Sequence, residues 1–516
     1  MQKGRALTDD TDIRAQDVTS HDVAKGAGTT LLARLGAVIE VVAQPAYVWL
    51  FGLASYGIYT ALWAAITLIQ NIANLGMTAA LQRTVPQAKS EREAVAALRA
   101  ALILGVTPCL LIAVFASIFA SSLTHIFNAA DKDVQQLGLF ITLFAWALPL
   151  WAFIEVATSA LRARRVFGAE IRLRLFWEQV VRLMAASGFW LAGFGTLSLF
   201  YAHLASLLII SGLCVRLMAR HYDLSLLASG PDHRPIWRET WFAGISIMPA
   251  NLVARAFSDV PTLVLNALLP GAQGAVAGAQ FALIRKVSSI VQTVRIAFAY
   301  VLSPLASAAS TGGKAAVEPI YAFATRVSFC VALPASLVLI AGGETILQAI
   351  GRGMGGAYPA LVLLLAARFA EAATGTAMPI QQVVSRYRSQ LLSSIIGVIV
   401  AVVAGLLLLP EWGLVGMSIA VALGLTVTSA VPIAQLFRQD NLHPFARPFG
   451  TVAVRSGLVS ACAFGLASIA NILPMGIALP SLILLLLVAL WASCRYALPI
   501  EDRQSLGSVG RRLRFV

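Results

Sequence analysis

The chain contains a long series of apolar stretches, each close to the roughly 20 residues that a helix needs to cross a bilayer. Fourteen can be marked off, at 31–50, 58–81, 100–119, 137–161, 175–193, 197–217, 242–265, 277–302, 321–341, 360–384, 391–409, 413–436, 452–472 and 476–497. A helix satisfies its own backbone hydrogen bonds inside lipid, which has no water to do so. The sequence therefore predicts an all-α polytopic membrane protein with about fourteen transmembrane helices.

The composition agrees with this fold class. Of the 516 residues, 59% are hydrophobic and only 12% are charged, whereas soluble domains carry about 25% charged residues. The net charge of +14 comes from basic residues scattered at the ends of the apolar stretches, which argues against nucleic acid as a partner. Five cysteines lie in or beside these stretches without the spacing of metal ligands, so we expect neither a metal site nor a cofactor.

The basic residues also predict how the chain is oriented. If the N-terminus is cytoplasmic, most of the 38 Lys and Arg residues fall in cytoplasmic segments, and only Lys132 and Arg352 fall outside. Cytoplasmic loops of membrane proteins carry such an excess of positive charge. An even number of crossings then makes both termini cytoplasmic: a polar N-terminal segment at 1–30 and a basic tail at 498–516.

Several glycines and prolines and one short motif recur along the chain at a nearly constant spacing. Gly57 and Gly274 are 217 positions apart, and three further pairs keep this step: Pro45 with Pro261, Pro86 with Pro304, and Phe153-Ile-Glu-Val-Ala-Thr158 with Phe369-Ala-Glu-Ala-Ala-Thr374. Internal repeats of this kind determine the architecture of transporters. We predict two six-helix lobes in parallel repeat, at 31–219 and 241–437, joined by a cytoplasmic linker at 220–240. Two C-terminal helices follow, at 438–497.

Charged residues inside the apolar stretches are the main candidates for function, because a charge at the bilayer centre costs roughly 2.5–3.5 kcal/mol on insertion scales. The simplest packing that shields them from lipid turns spans one, seven and eight toward each other around a water-filled, net cationic cavity. Such a cavity suits an anionic substrate. The candidate substrate-binding residues are Arg34, Arg255, Arg285, Gln292 and Arg295, and the acidic candidates are Glu40, Glu155, Asp259 and Glu371.

Local neutralisation is the alternative for several of these charges. Opposite charges three or four residues apart on a helix neutralise each other, and three pairs have this spacing: Glu178 with Arg182, Arg255 with Asp259, and Arg368 with Glu371. Arg34 is near enough to a span end for its side chain to reach the membrane surface.

The remaining polar features predict structural roles. Pro45 and Pro261, at matching positions in spans one and seven, are candidate hinges that would let these helices bend. His125 and His203 stand alone in the sequence, and we interpret them as surface or packing residues. No loop is long enough for a sizeable outer domain, and no cluster of acids and bases marks a catalytic loop, so we do not expect an enzyme.

Two motifs at the start of the chain resemble a known family. Phe51-Gly-x-x-x-Tyr-Gly-Ile-Tyr59 and Asn74-Leu-Gly-Met-x-x-Ala-Leu-x-Arg-x-x-Pro86 are similar to the beginning of the bacterial polysaccharide transporters. These belong to a superfamily that also contains multidrug and toxin exporters and lipid II flippases. The basic stretch Ala160-Leu-Arg-Ala-Arg-Arg165 after span four, the mid-chain linker and the fourteen predicted spans also suit it.

The resemblance implies a flippase in the bacterial inner membrane. Its substrate would be an oligosaccharide linked to undecaprenyl diphosphate, moved to the periplasmic leaflet for synthesis of O-antigen, capsule or exopolysaccharide. Polymerase and chain-length proteins of that pathway would be its partners. Members of this superfamily rock two lobes between inward-open and outward-open states, and some are ion-coupled. Glu40, Glu155, Asp259 and Glu371 are then the candidates for ion coupling.

Three other functions are weighed against this one. A drug or metabolite exporter of the same superfamily would prefer an acidic cavity for cationic drugs, and the surplus of Arg in spans seven and eight argues against it. A lipid II flippase would differ only in the sugar that it carries. A membrane glycosyltransferase or polymerase would need a larger catalytic loop than this chain offers.

Overall fold

The protein is described here from a computed structural model, in residues 37–164, 166, 171–229, 234–309, 314–374, 376–384, 387–445, 447–506, 510–511 and 513–515. These residues form helices joined by short turns, with no β-strand among them. The long apolar helices identify a multi-pass membrane protein, as the sequence predicted. The predicted site residue Arg34 lies outside the described residues.

The first half of the chain forms nine main helices. They are α1 (Ala37–Phe51), α2 (Leu53–Ala73), α3 (Met77–Gln87), α4 (Glu91–Ile118), α5 (Leu137–Ala163), α6 (Glu178–Leu191), α7 (Leu197–Met218), α8 (Arg234–Ala256) and α9 (Val260–Leu268). A π-helical turn, Ile171–Trp177, leads directly into α6. Helices α3 to α7 pack mainly against one another, whereas α2 packs mainly against the helix Gly271–Ala309 of the second half.

The second half forms nine more. They are α10 (Gly271–Ala309), α11 (Glu318–Ala341), α12 (Gly343–Ile350), α13 (Tyr358–Thr374), α14 (Ala377–Val384), α15 (Tyr387–Asp440), α16 (Phe449–Ala470), α17 (Met475–Tyr496) and α18 (Ile500–Ser505). Here α11 packs on α13, α16 and α17, and α13 packs on α10 and α15.

Nine helices among the described residues are long and apolar enough to cross a membrane, against fourteen predicted spans. The difference has identifiable causes. The described part of span one and the α-helical part of span five are short, at 15 and 14 residues. Span seven is divided between α8 and α9, and span eight lies in α10, where the side chains of 297–309 lie outside the described residues. Spans eleven and twelve lie in one element, α15. The count of fourteen stays a prediction.

Helix α15 is a hairpin of two helical arms rather than one rod. At Gly413 the backbone has φ 51° and ψ −123°, which is not helical and is a conformation that glycine adopts without steric cost. A Cβ at Gly397 would overlap the Thr428 side chain, and one at Gly405 would lie 3.8 Å from the Cβ of Ala420. Because these contacts pair residues at equal distances from the turn, the arms run antiparallel.

Span seven is interrupted near the proline that the sequence marks as a hinge. Helix α8 ends at Ala256 and α9 begins at Val260, with Pro261 in its first turn, where a missing backbone N–H costs nothing. Pro45, by contrast, lies inside α1. The role of both prolines as hinges stays a prediction.

Glycines bring residues of the two predicted lobes, 31–219 and 241–437, into close contact. A Cβ at Gly57 on α2 would overlap the backbone carbonyl of Ala275 on α10, and one at Gly76 would overlap the carbonyl of Gly244 on α8. Gly76 also has φ 71°, in the left-handed region. These contacts need residues without side chains, because any Cβ would push the backbones apart.

His203 is a packing residue, as predicted. Its ring is fully buried in α7 among Tyr59, Trp63, Phe144 and Phe200. The Nδ1 atom is 2.8 Å from the Tyr59 hydroxyl oxygen. This aromatic core holds α2, α5 and α7 together.

Substituting Gly57 by alanine should separate α2 from α10. Overpacking of this kind costs about 1–3 kcal/mol, so we expect a lower melting temperature for the purified protein. The matched control is Gly188→Ala on α6, where a Cβ would meet nothing within 4 Å. Equal melting temperatures for both variants would contradict the close contact.

Candidate functional site

The motif that recurs in the sequence makes the same kind of contacts at both copies. Thr158 Oγ1 donates to the Ile154 carbonyl at 2.8 Å, and Thr374 Oγ1 donates to the Ala370 carbonyl at 2.6 Å. The glutamate three residues before each threonine accepts a hydrogen bond from a glutamine on another helix and pairs with arginine. The two glutamates therefore centre two related polar clusters inside the helical bundle.

The amino-terminal cluster consists of Gln70, Glu155 and Arg174. Glu155 on α5 accepts from Gln70 Nε2 on α2 at 2.9 Å, and its other oxygen lies 3.2 Å from Arg174 Nη2. The guanidinium carbon of Arg174 also lies 4.4 Å from the centre of the Trp151 ring, a favourable cation–π distance. One carboxylate and one guanidinium balance each other here.

The carboxy-terminal cluster consists of Gln292, Arg295, Arg368 and Glu371. Arg295 Nη2 on α10 is 2.8 Å from one carboxylate oxygen of Glu371, and Arg368 Nη1 on α13 is 2.7 Å from the other. Gln292 on α10 donates to this second oxygen. Two cations share one anion, so the cluster keeps one net positive charge.

The two clusters differ in net charge because of one residue in the recurring motif. Arg368 precedes Glu371 by three residues, whereas Ala152 precedes Glu155 by three. The i,i+3 pairing of Arg368 with Glu371 that the sequence suggested is present, but it does not leave a neutral helix, because Arg295 binds the same carboxylate. Among the residues that the structure describes, the carboxy-terminal cluster therefore has a surplus of positive charge that the amino-terminal cluster lacks.

This surplus lies in a place that is poor in water. The side chains of Arg368 and Glu371 are 8% and 12% exposed, and that of Arg295 is 18% exposed. Within the described part of the chain, the Nε atoms of Arg295 and Arg368 have no hydrogen-bond acceptor. Buried N–H donors without acceptors are costly, and an anion with several oxygens would satisfy them.

The other predicted site residues lie apart from these clusters. Arg255 Nη1 is 3.6 Å from Asp259, so this pair adopts the local contact that its spacing suggested. Asp259 occupies the position before α9, near the positive end of the helix dipole. Arg285 is partly buried on α10, ten residues from Arg295, which at 1.5 Å per residue is roughly 15 Å along the helix. Glu40 lies in α1, but its side chain lies outside the described residues.

Sequence reasoning did not single out Gln70 or Arg174, and it assigned Arg368 to local neutralisation. Gln70 is a polar residue inside an apolar stretch, and Arg174 stands just before another. What links them to Glu155 is the packing of α2 and of the π-helical turn beside α5, which periodicity alone does not specify. Glu178 and Arg182 form the predicted pair within α6, and both are buried.

Among the described residues, no three His, Cys, Asp or Glu side chains are grouped closely enough to hold a metal ion. The polar clusters instead combine guanidinium, amide and carboxylate groups. Such a combination can bind and release an anion, or exchange a proton at the carboxylate.

Comparison with known proteins identifies the fold. No family model and no curated protein matches the sequence. Among solved structures, the lipid II flippase MurJ in an inward closed conformation superposes with a TM-score of 0.70 at 11% identity, over 89% of this chain and 97% of that one. An inward-facing multidrug resistance transporter of the MATE family gives a TM-score of 0.64 at 16% identity, over 80% and 92%.

A third structure extends the range of functions that share this fold. A MOP superfamily transporter from Pyrococcus furiosus, described by the reverse polarity of its binding pocket, gives a TM-score of 0.58 at 16% identity, over 81% of this chain and 96% of that one. The chain therefore shares its fold with a lipid II flippase and with transporters of the MOP superfamily. At such identities the substrate has to be argued from the side chains.

Replacing Glu371 by glutamine should destabilise the protein more than the same change at Glu155. Removing one partner of a buried ion pair costs about 3–5 kcal/mol. Glu371→Gln removes the carboxylate from two arginines, Arg295 and Arg368, whereas Glu155→Gln removes it from one, Arg174. Thermal unfolding of both variants in one detergent measures the difference. Glu344→Gln, at an exposed position, is the control. A Glu155→Gln variant that is equally or less stable than Glu371→Gln would contradict the unequal charge of the clusters.

Proposed function

We propose that the protein is a flippase for oligosaccharides linked to undecaprenyl diphosphate. It moves the lipid-linked repeat unit across the bacterial inner membrane by alternating access, for synthesis of exopolysaccharide, capsule or O-antigen. The observation that carries the proposal is the net positive carboxy-terminal cluster, buried in a helical bundle with the MOP fold. The sequence motifs between Phe51 and Pro86 support the same family.

The chemistry of the diphosphate suits this cluster. Guanidinium groups bind phosphate oxygens through paired, charge-assisted hydrogen bonds, and Arg295 and Arg368 approach one point from two helices. Gln292 adds an amide donor. Arg285, farther along α10, and Arg255, on α8, are the further basic residues that the headgroup would meet as it moves. Arg34 is the candidate from span one.

Glu371 supplies a route to coupling. Its carboxylate occupies the two guanidinium groups that we assign to the diphosphate, so carboxylate and substrate compete for them. Protonation of Glu371 would free both arginines for the substrate, and loss of the proton would favour release. Glu40, Glu155 and Asp259 are the other candidates for ion coupling.

The transport cycle follows from the repeat. Two six-helix lobes, with both termini cytoplasmic and fourteen crossings in all, would rock about the join between them. Pro45 and Pro261 would let spans one and seven bend. The polyprenyl tail stays in lipid, since drawing it into a wet interior would expose apolar surface to water. Polymerase and chain-length proteins would receive the product.

A multidrug exporter is the main alternative, since MATE transporters share the fold. A cationic drug would be repelled by the carboxy-terminal cluster, which lacks the acidic surplus that such a substrate needs. A lipid II flippase carries the same diphosphate, so the choice between it and our proposal rests on the sugar. Binding assays with lipid II and with a lipid-linked oligosaccharide separate the two.

Removing either cluster arginine should weaken binding of the diphosphate. A charge-assisted hydrogen bond contributes about 1.5–3 kcal/mol, so Arg368→Ala or Arg295→Ala should weaken binding of undecaprenyl diphosphate by about 10–100-fold. Thermal shift of the purified protein against undecaprenyl diphosphate gives the affinity, and polymer export in the host lacking the native gene gives the activity.

The control for this experiment is Arg352→Ala, which removes an exposed arginine and should change neither readout. Ethidium, a cationic drug, serves as the competing ligand. Wild-type affinity and export in both cluster variants would refute the role of the cluster. A thermal shift with ethidium and none with undecaprenyl diphosphate would favour the exporter.

Asp259→Asn tests coupling at the start of α9. If Asp259 binds the coupling ion, the amide should change how flipping in proteoliposomes depends on pH or on sodium, whereas total protein in the membrane stays the same. Glu344→Asn, at the exposed start of α12, is the control. An unchanged dependence in Asp259→Asn would remove this residue from the coupling set.

A further inference from the structure

A cavity of about 350 Å³ lies between α2, α4, α5 and α9. Its seventeen lining residues are all Ala, Leu, Ile or Phe, so no polar side chain faces it. They come from five places in the chain: 62–69 on α2, 112–116 on α4, residues 123–127 of the loop before α5, 141–148 on α5, and Leu263 with Ala267 on α9. The cavity thus lies where α9 meets α2, α4 and α5.

Water is a poor occupant of such a space. A buried water needs two to four polar partners, and apolar cavities without them stay dry. An empty cavity of this size is unfavourable as well, because its lining loses the dispersion contacts of a packed interior and the cost rises with the cavity volume. The volume is in the range of small-molecule sites, which begins at about 300 Å³. An apolar guest is the occupant that these constraints favour.

The cavity is continuous with the surface that faces lipid. Ile126, one of its lining residues, is 53% exposed. On α4, the lining residues Ile112 and Ala116 alternate with Leu111, Phe115 and Ile118, which are 66%, 57% and 69% exposed. Large apolar side chains so exposed on a membrane-spanning helix face the bilayer interior. A hydrocarbon chain can therefore pass from the bilayer into the cavity without crossing a polar surface.

We propose that this cavity is a binding site for one acyl chain of a bilayer phospholipid. Phospholipid is the most concentrated source of hydrocarbon at this surface, and occupancy rises with ligand concentration. This acyl chain would fill the space between α9 and helices α2, α4 and α5. The proposal does not depend on which substrate the protein carries, because it rests on the cavity and on the lipid-facing surface alone.

Photolabelling tests the proposal on the full-length protein in nanodiscs. The probe is a phosphatidylcholine with a diazirine in one acyl chain, and labelled positions are mapped by mass spectrometry. Ile66, Ile141 and Leu148 line the cavity and are only 7%, 5% and 1% exposed. We expect labels at these positions, where probe in the surrounding bilayer cannot reach, as well as at Leu111 and Ile118 on the lipid face.

A variant that fills the cavity provides a second test. Ala113→Phe places a ring in the space from the wall of α4, and labels at Ile66, Ile141 and Leu148 should fall to background while those at Leu111 and Ile118 persist. The matched control is Val114→Phe, one residue along on the lipid face of α4 and 41% exposed, which should leave all labels unchanged. The map of the wild-type protein needs no variant, so the proposal stays testable if Ala113→Phe does not fold.

Three results would overturn the proposal. The first is a wild-type map without labels at the cavity positions. The second is a map that Ala113→Phe does not change. The third is a map in which a diazirine-bearing polyprenyl monophosphate labels these positions and the phosphatidylcholine does not, which would assign the cavity to an isoprenoid tail.

Discussion

The cost of placing charge inside a membrane constrains this molecule more than any other interaction. Carboxylates and guanidinium groups within the bundle are stabilised only when they are paired. The protein meets this requirement twice, at Glu155 and at Glu371, each with a glutamine and an arginine drawn from neighbouring elements. The pairing joins α2 to α5 and α10 to α13, so the polar clusters also help to set how these helices pack.

Helix α2 connects the amino-terminal cluster to the contact between α2 and α10. Gly57 near its start contacts the backbone of α10, and Gln70 near its end binds Glu155. Tyr59, between them, belongs to the aromatic core around His203. A shift of α2 would therefore change its contact with α10, the packing of the aromatic core and the hydrogen bond to Glu155 at the same time. The alternating access that we propose would use this coupling, since packed helices move as units.

The two clusters differ in net charge, and this difference decides which of them has hydrogen-bond donors left for an anion. A balanced pair such as Glu155 with Arg174 holds helices together and has little affinity left for a ligand. Arg295 and Arg368 share one carboxylate, which leaves donors for an anion. In our proposal one copy of the recurring motif serves stability and the other binds the substrate, with Arg368 in place of the alanine at position 152 as the difference.

The sequence by itself determined the helical fold class, because an apolar run of 20 residues has few other structures in lipid, and it marked Glu155, Glu371, Gln292 and Arg295 as costly residues that need partners. It also placed the glycines and prolines that allow the turn at Gly413 and the break before Pro261. Only the tertiary structure decided which partner each charge has. Hydropathy is a property of single residues along one helix, whereas the meeting of Arg295 with Glu371, or of Arg174 with Glu155, depends on the rotation and depth of helices far apart in the chain.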